Sequence, residues 1–186
     1  MKLRPDTSAP SKTDQALSAW EQQVADNPDS ADAQAGYGMA LLGAGQVDKA
    51  QAAFEEALRL DPKQWVANFQ LGLIMRDTNP DRAIALLEAG AKTAADGDKA
   101  VVFVALGDFL LGQGDAEGAR DAYQRSIATV SYLFDSHYGL AQAFEQLGER
   151  RQAIKEYEEA LRFAPGDERI KEALDRLKHK NNATGS

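Results

Sequence analysis

The stretch FDSHYGLAQAFEQLGERRQAIKEYEEALRFAPGD, residues 134–167, sets the fold of the chain. Ala153 and Tyr157 are four residues apart, so a helix presents this small residue and this bulky one on the same face. Gly148 stands upstream of both, and glycine readily adopts the positive φ that ends one helix and reverses the chain. Pro165 closes the stretch because proline cannot continue a helix. The stretch therefore predicts two antiparallel helices joined by a tight turn.

The same signals recur along the chain at intervals of about 34 residues. The second helix of each pair carries a small residue and, four positions later, a bulky one: Ala16 and Trp20, Ala50 and Phe54, Ala83 and Leu87, Ala119 and Tyr123, Ala153 and Tyr157. The first helix carries a bulky residue followed by a small one: Tyr37-Gly38, Leu71-Gly72, Leu106-Gly107 and Leu140-Ala141. The turns between the two helices carry Gly45, Asn79, Gly114 and Gly148. Because small residues let helix backbones approach closely, such pairs are predicted to stack on one another.

The combined pattern resembles the tetratricopeptide repeat family, in which W-x2-L-G-x2-Y is followed by A-x3-F and then P. The resemblance covers nearly the whole chain and implies an all-α fold, a right-handed α-α superhelix of antiparallel helix pairs. It implies a single repeat domain over residues 13–179, made of a half repeat (13–30), full repeats (31–64, 65–99, 100–133 and 134–167) and a capping helix (168–179). We assign residues 1–12 to a flexible N-terminal arm and residues 180–186 to a disordered tail.

Two helix starts can be predicted from local chemistry. Pro80 follows Asn79 directly, and proline favours the first turn of a helix, so we expect Asn79 to be an N-cap rather than a left-handed turn residue. Asp167 is expected to cap the closing helix. In that helix a stripe formed by Ile170, Leu174 and Leu177 is expected to face the core, with charged residues on the remaining surface.

Composition excludes several classes of function. The 186 residues include 29 Asp plus Glu and 21 Lys plus Arg, which gives a formal charge of −8. Because nucleic-acid binding depends on clustered cations, nucleic acid and bare membrane are poor partners. The chain has no cysteine, which excludes disulfides and thiolate chemistry, and only His137 and His179 could supply imidazole. We therefore expect no cofactor, no metal site and no direct membrane insertion.

The N-terminal residues bear on localisation. No apolar segment of the kind found in signal peptides follows residues 1–12, MKLRPDTSAPSK. A cytoplasmic protein is therefore the default expectation. The soluble part of a membrane-anchored or exported protein is the alternative.

The first helices are expected to carry the function, because in stacked helix pairs they line a concave surface. The inward positions are those opposite the packing face of each first helix. They are Ala35, Met39, Leu42, Phe69, Gln70, Leu73, Arg76, Val101, Val104, Asp108, Leu111, Tyr138, Gln142 and Glu145. In the first three repeats these residues are mostly apolar, and an exposed apolar strip usually marks an interaction site. We predict that a hydrophobic or amphipathic peptide of a partner protein binds there.

Some members of the family that the chain resembles bind a peptide's C-terminal carboxylate through Lys, Asn and Arg on the first helices. The corresponding positions here hold Ala35, Met39, Gln70, Val101 and Ala105. Without a cation, an anionic terminus would lose hydration and gain no ion pair. The sequence therefore predicts that these positions form no carboxylate clamp.

Catalysis is not expected, because no set of nucleophile, base and oxyanion donor can be assembled from the sequence. His137 stands where many repeats of the family have Trp, which predicts a packing residue rather than a ligand or base. The main hypothesis is an adaptor that binds a linear segment of a partner. The alternative is a scaffold whose copies self-associate through the same surface or through the ends of the stack. Two further interpretations stay open: the arm or another copy fills the groove, or some inward positions face the core.

Overall fold

The computed structural model describes residues 11–179, and this part of the chain folds entirely into α-helices and short connections. The helices are α1 (Lys12–Asp26), α2 (Ala31–Gly43), α3 (Val47–Leu60), α4 (Trp65–Met75), α5 (Pro80–Thr93), α6 (Asp96–Gly112), α7 (Ala116–Thr129), α8 (Phe134–Gln146), α9 (Arg150–Phe163) and α10 (Glu168–His179). No β-strand occurs in residues 11–179, so the all-α prediction is confirmed. We call α2, α4, α6 and α8 the A helices, and α1, α3, α5, α7 and α9 the B helices. Most of the predicted arm and the whole predicted tail lie outside the described residues.

The chain divides into two compact units whose boundary, between Gly90 and Ala91, falls inside α5. Unit 1 contains α1 to α4 and most of α5. Unit 2 contains the end of α5 and α6 to α10. The single repeat domain over residues 13–179 stays a prediction.

In unit 1, glycines of the A helices lie directly against large side chains of the B helices. A Cβ atom on Gly38 would lie 2.6 Å from Cε1 of Phe54, whose side chain is fully buried. A Cβ atom on Gly72 would lie 3.0 Å from Cγ of Leu87, which is also fully buried. Glycine at these positions therefore sets how closely the paired helices approach each other.

Unit 2 repeats this packing and adds a polar contact. The buried Tyr123 ring lies between Gly107 of α6 and Gly139 of α8. Ser126 Oγ, on α7, donates to a backbone carbonyl of α6 at 2.9 Å and lies 2.7 Å from Ser136 Oγ on α8. Both serines are fully buried, and a buried hydroxyl without a partner would cost stability. This pair therefore ties α7 to both neighbouring A helices.

The turns between A and B helices follow the sequence prediction. Three of them use a glycine with positive φ: Gly45 at 72°, Gly114 at 83° and Gly148 at 73°. The turn before α5 differs, because Asn79 Oδ1 accepts a hydrogen bond from the backbone N–H of Arg82 at 3.2 Å. Pro80 is the first residue of that helix. The predicted N-cap at Asn79 is confirmed.

The first helix begins at Lys12, one residue before the predicted start of the repeat domain. Ser11 forms a capping box that fixes this start. Its Oγ accepts from the backbone N–H of Asp14 at 3.1 Å, and Asp14 Oδ2 accepts from the backbone N–H of Ser11 at 3.1 Å.

The closing helix matches its prediction. Asp167 Oδ1 accepts from the backbone N–H of Arg169 at 3.0 Å, which caps the first turn of α10. Ile170, Leu174 and Leu177 are all buried. They pack into the core that α10 shares with α8 and α9 in unit 2.

Candidate interaction surface

The predicted A-helix residues of unit 1 lie on α2 and α4, two helices that contact each other. Met39 is 44% exposed. Half-buried positions are Leu42 on α2, Phe69, Gln70 and Leu73 on α4, and Arg76 directly after α4. The apolar members of this set reach solvent without being fully surrounded, as a docking surface requires.

Ala35 does not belong to this surface, since it is only 2% exposed. It lies one turn after Asp32, where Gln64 Nε2 donates to Asp32 Oδ1 at 3.2 Å. The connection leading into α4 therefore approaches α2 at this point. The expectation that Ala35 faces a ligand is corrected by this burial.

The predicted residues of unit 2 lie on α6 and α8, which also contact each other. Val101 is 50% exposed, and Asp108 is exposed as well. Half-buried positions are Val104, Leu111, Tyr138, Gln142 and Glu145. The A-helix surface of unit 2 is thus more polar than that of unit 1.

Two tyrosines of the B helices hold the acids on this surface. The Tyr123 hydroxyl donates to Asp108 Oδ1 at 2.7 Å, and the Tyr157 hydroxyl donates to Glu145 Oε2 at 2.8 Å. The pKa of both tyrosines lies above the ordinary value. Burial is the larger cause, and the hydrogen bond to the carboxylate is the second. Both hydroxyls therefore stay protonated and act as donors at neutral pH.

Aromatic rings cluster on the surface of α8. The Phe134 and Tyr138 rings stack with centroids 5.6 Å apart, and the Tyr138 ring meets the Tyr157 ring edge-on at 5.9 Å. The Arg169 guanidinium, from α10, lies 5.2 Å from the centroid of the Tyr138 ring. These contacts fix the position of Tyr138 relative to α10.

A cleft of about 440 Å³ opens between α8 and α10 in unit 2. We call it the α8–α10 cleft. Its α8 wall consists of Tyr138, Gln142, Glu145 and Gln146, its α10 wall of Arg169, Glu172, Ala173 and Arg176, and Tyr157 also lines it. Arg176 Nη2 donates to both carboxylate oxygens of Glu145, at 2.7 and 2.9 Å.

Sequence reasoning missed the α10 wall, because it assigned the charged residues of that helix to solvent. Arg169, Glu172 and Arg176 are spaced at i, i+3 and i+7, which places them on one face of a helix. This spacing was the available signal. The spacing alone does not show that this face lines a cleft, because that depends on the packing of α10 against α8.

His137 is buried and makes polar contacts from both ring nitrogens. Nδ1 lies 2.8 Å from Glu156 Oε2, and Nε2 lies 3.1 Å from the backbone oxygen of Ser131. Its ring also stacks on Phe163, with centroids 5.9 Å apart. The prediction that His137 packs between helices is confirmed, and its carboxylate partner comes from α9 rather than from its own helix.

Within residues 11–179, no helix combines the length and apolar character that a membrane span requires. Within the same range, no cluster of three or more His, Cys, Asp or Glu side chains is arranged to hold a metal ion.

The sequence matches known repeats in two places. Two profiles, each described as a tetratricopeptide repeat, match residues 9–72 and residues 134–167. Together they cover slightly more than half of the chain. The chain belongs to the tetratricopeptide repeat family. No curated protein matches the sequence.

Solved structures share the fold at low sequence identity. The crystal structure of YrrB, described as a TPR protein with an unusual peptide-binding site, is 17% identical, with a TM-score of 0.77 over 91% of this chain and 87% of YrrB. A crystal structure of MamA is 20% identical, with a TM-score of 0.71 over 82% of this chain and 89% of MamA. MamA from Desulfovibrio magneticus RS-1, residue 41 to its end, is 18% identical, with a TM-score of 0.70 over 84% of this chain and 88% of that one. The fold is an all-α tetratricopeptide-repeat solenoid, and the chain is a protein–protein interaction module.

Proposed function

We propose that the chain binds a hydrophobic or amphipathic segment of a partner protein on the exposed side chains of its A helices, and that it catalyses no reaction. The observation that carries this proposal is the exposure of apolar A-helix residues in unit 1. Met39 is 44% exposed, and Phe69 and Leu73 are half-buried. Such exposed apolar surface is costly in water unless a partner covers it.

Two further observations support the proposal. Arg76 is the only charged residue among the predicted unit 1 positions, so an apolar segment that covers these positions would remove water from only one charged side chain. YrrB, which shares the fold, is described as a TPR protein with an unusual peptide-binding site. A segment that orders on binding is expected to have a Kd of roughly 1 to 100 µM.

The test is affinity capture of partner proteins from the native lysate, in which wild type is compared with a Phe69→Glu, Leu73→Glu variant. We expect this variant to lose capture, because two carboxylates would have to be desolvated beneath an apolar ligand. Its melting temperature should stay within a few degrees of wild type. The matched control is Ala52→Glu, Ala85→Glu, which places the same two carboxylates at exposed positions of B helices α3 and α5.

Two results would contradict the proposal. Capture that survives Phe69→Glu, Leu73→Glu would show that the partner binds elsewhere. Unfolding of this variant, with the control variant still folded, would place Phe69 and Leu73 in the core.

A scaffold that self-associates is the second candidate, favoured by the exposed face of α1. Ala16 is exposed and Trp20 is 38% exposed, whereas Ala50, Ala83, Ala119 and Ala153, at the equivalent position of the other B helices, are fully buried. Each of those four B helices directly follows an A helix in the chain. If copies pack on α1, light scattering should show mass rising with protein concentration, and Ala16→Arg should restore a constant mass. A constant mass for wild type would exclude this candidate.

A further inference from the structure

We propose that the α8–α10 cleft binds a peptide in extended conformation, mainly through hydrogen bonds to the peptide's main chain. This inference rests on the proposed function, since it specifies how one part of the A-helix surface holds a partner segment. It also assigns a binding role to α10, which the sequence identified only as the end of the stack.

The spacing of two glutamines on α8 matches an extended chain. Gln142 and Gln146 both line the cleft and lie one helical turn apart, about 6 Å along the axis. Alternate residues of an extended peptide repeat every 6.6 Å or so, with their main-chain groups on the same side. A glutamine amide both donates and accepts, so each can pair with one peptide group of such a chain.

These amides have spare hydrogen-bonding capacity. Gln142 Nε2 makes one long contact, a donation to the Tyr138 hydroxyl at 3.4 Å. Gln146 is exposed, and its side chain makes no hydrogen bond within residues 11–179. Amide groups that a peptide can satisfy are therefore already present on the α8 wall.

The α10 wall adds donors that are held in place. Arg176 uses only Nη2 for Glu145, which leaves Nε and Nη1 without a partner within the described residues. Glu145 in turn accepts from the Tyr157 hydroxyl at 2.8 Å. A guanidinium fixed in this way can donate to peptide carbonyl oxygens without losing further side-chain entropy.

The charges of the cleft favour a neutral main chain over a carboxylate. Arg176 is paired with Glu145, and Arg169 is paired with Asp167 through Nε at 3.1 Å and Nη2 at 2.6 Å. Glu172 adds a further negative charge on the same wall. An anionic group entering the cleft would therefore gain no net attraction. Peptide groups carry no charge and still match the donors and acceptors.

The experiment selects peptides from a phage-displayed library of random twelve-residue sequences on wild type, with counter-selection on a Gln142→Ala, Gln146→Ala variant. Enriched peptides are synthesised acetylated and amidated, and their Kd is measured by fluorescence anisotropy. The matched control is Gln124→Ala, Gln152→Ala, which removes two exposed glutamines from the B helices of the same unit. One peptide amide at a time is also replaced by an ester, which removes an N–H donor and keeps every side chain.

The proposal expects enriched peptides whose Kd rises about tenfold in Gln142→Ala, Gln146→Ala and is unchanged in the control. At least one ester replacement should weaken binding about threefold or more. Because no net charge is involved, raising the salt from 0.05 to 0.5 M should change the Kd by less than about twofold.

The proposal is overturned if counter-selection leaves no enriched peptide, if no ester weakens binding, or if binding needs a free C-terminal carboxylate or falls steeply with salt. A parallel counter-selection on Phe69→Glu, Leu73→Glu distinguishes the proposed function from the proposed binding mode of the α8–α10 cleft. Peptides that depend on Phe69 and Leu73 but not on the glutamines would leave the proposed function standing and this inference refuted. Peptides that depend on neither pair would refute both.

Discussion

Replacing Gly107 by alanine should destabilise unit 2, because the glycine lies against the ring of Tyr123. A Cβ atom at this position would lie 2.7 Å from Cε1 of that ring, well inside van der Waals contact. The ring is fully buried, and its hydroxyl is held at 2.7 Å from Asp108 Oδ1. It therefore cannot move aside without giving up a hydrogen bond or a core contact.

The magnitude follows from two opposing terms. Forcing a methyl group into a packed core costs about 1 to 3 kcal/mol. Alanine in place of glycine in a helix returns roughly 0.5 to 1 kcal/mol. Gly112→Ala, on the same helix, is the matched control, because a Cβ atom at Gly112 would have no neighbour within 4 Å. Gly112 is the last residue of α6 and gains at most this helix term, so Gly107→Ala should be the less stable variant by about 1 to 2 kcal/mol in unfolding free energy.

Urea unfolding followed by circular dichroism measures this difference. Gly107→Ala should cost less in a Tyr123→Leu background than in wild type, because a smaller side chain would then face the methyl group, as Leu87 faces Gly72 in unit 1. If Gly107→Ala proved as stable as Gly112→Ala, the claim that glycines set the approach of paired helices would be refuted.

Three further predictions concern single polar contacts. Glu156→Ala leaves the buried His137 without its carboxylate partner, so the free energy of unfolding in urea should fall by about 2 to 4 kcal/mol. A decrease below about 0.5 kcal/mol would contradict a stabilising role of this contact. Asn79→Ala removes the N-cap of α5 and should cost about 1 kcal/mol in the same assay, whereas Asn79→Asp should cost far less; equal losses would exclude a capping role. The hydrogen bond from the Arg169 side chain lowers the pKa of Asp167, so its folded-state pKa lies below the unfolded one. Its stabilising contribution is therefore present above about pH 4 and is lost as the pH falls through the folded-state value. The stability difference between wild type and Asp167→Asn, measured by thermal melting, should shrink as the pH falls from 6 to 2, and a constant difference would contradict this.

The local features of the fold could be predicted from the sequence because each depends on residues close together in the chain. Gly45, Gly114 and Gly148 were predicted as turn residues from the conformational freedom of glycine. Asn79 was predicted as a cap because Pro80 restricts the residue before it. These rules need no knowledge of which helices meet.

The site was less predictable because its geometry depends on contacts between distant helices. Ala35 shares a helix face with Met39, yet the connection leading into α4 approaches that end of α2. Glu156 could not be matched with His137, because the two residues lie on different helices. The pairing of Arg176 with Glu145 could not be predicted, because it requires α10 to pack beside α8. In each case the sequence periodicity predicts which residues share a helix face, but it does not predict which other element packs against that face.

The most direct test of where a partner binds uses two variants of the chain. Each carries one photo-crosslinking amino acid, either on an A helix or on a B helix. Met39 of α2 and Ala52 of α3 are both exposed, and they lie on an A helix and a B helix of unit 1. With the crosslinker in place of Met39, illumination should join the chain to its captured partner. In place of Ala52 it should give no such product. Crosslinking from Ala52 with none from Met39 would contradict binding on the A helices.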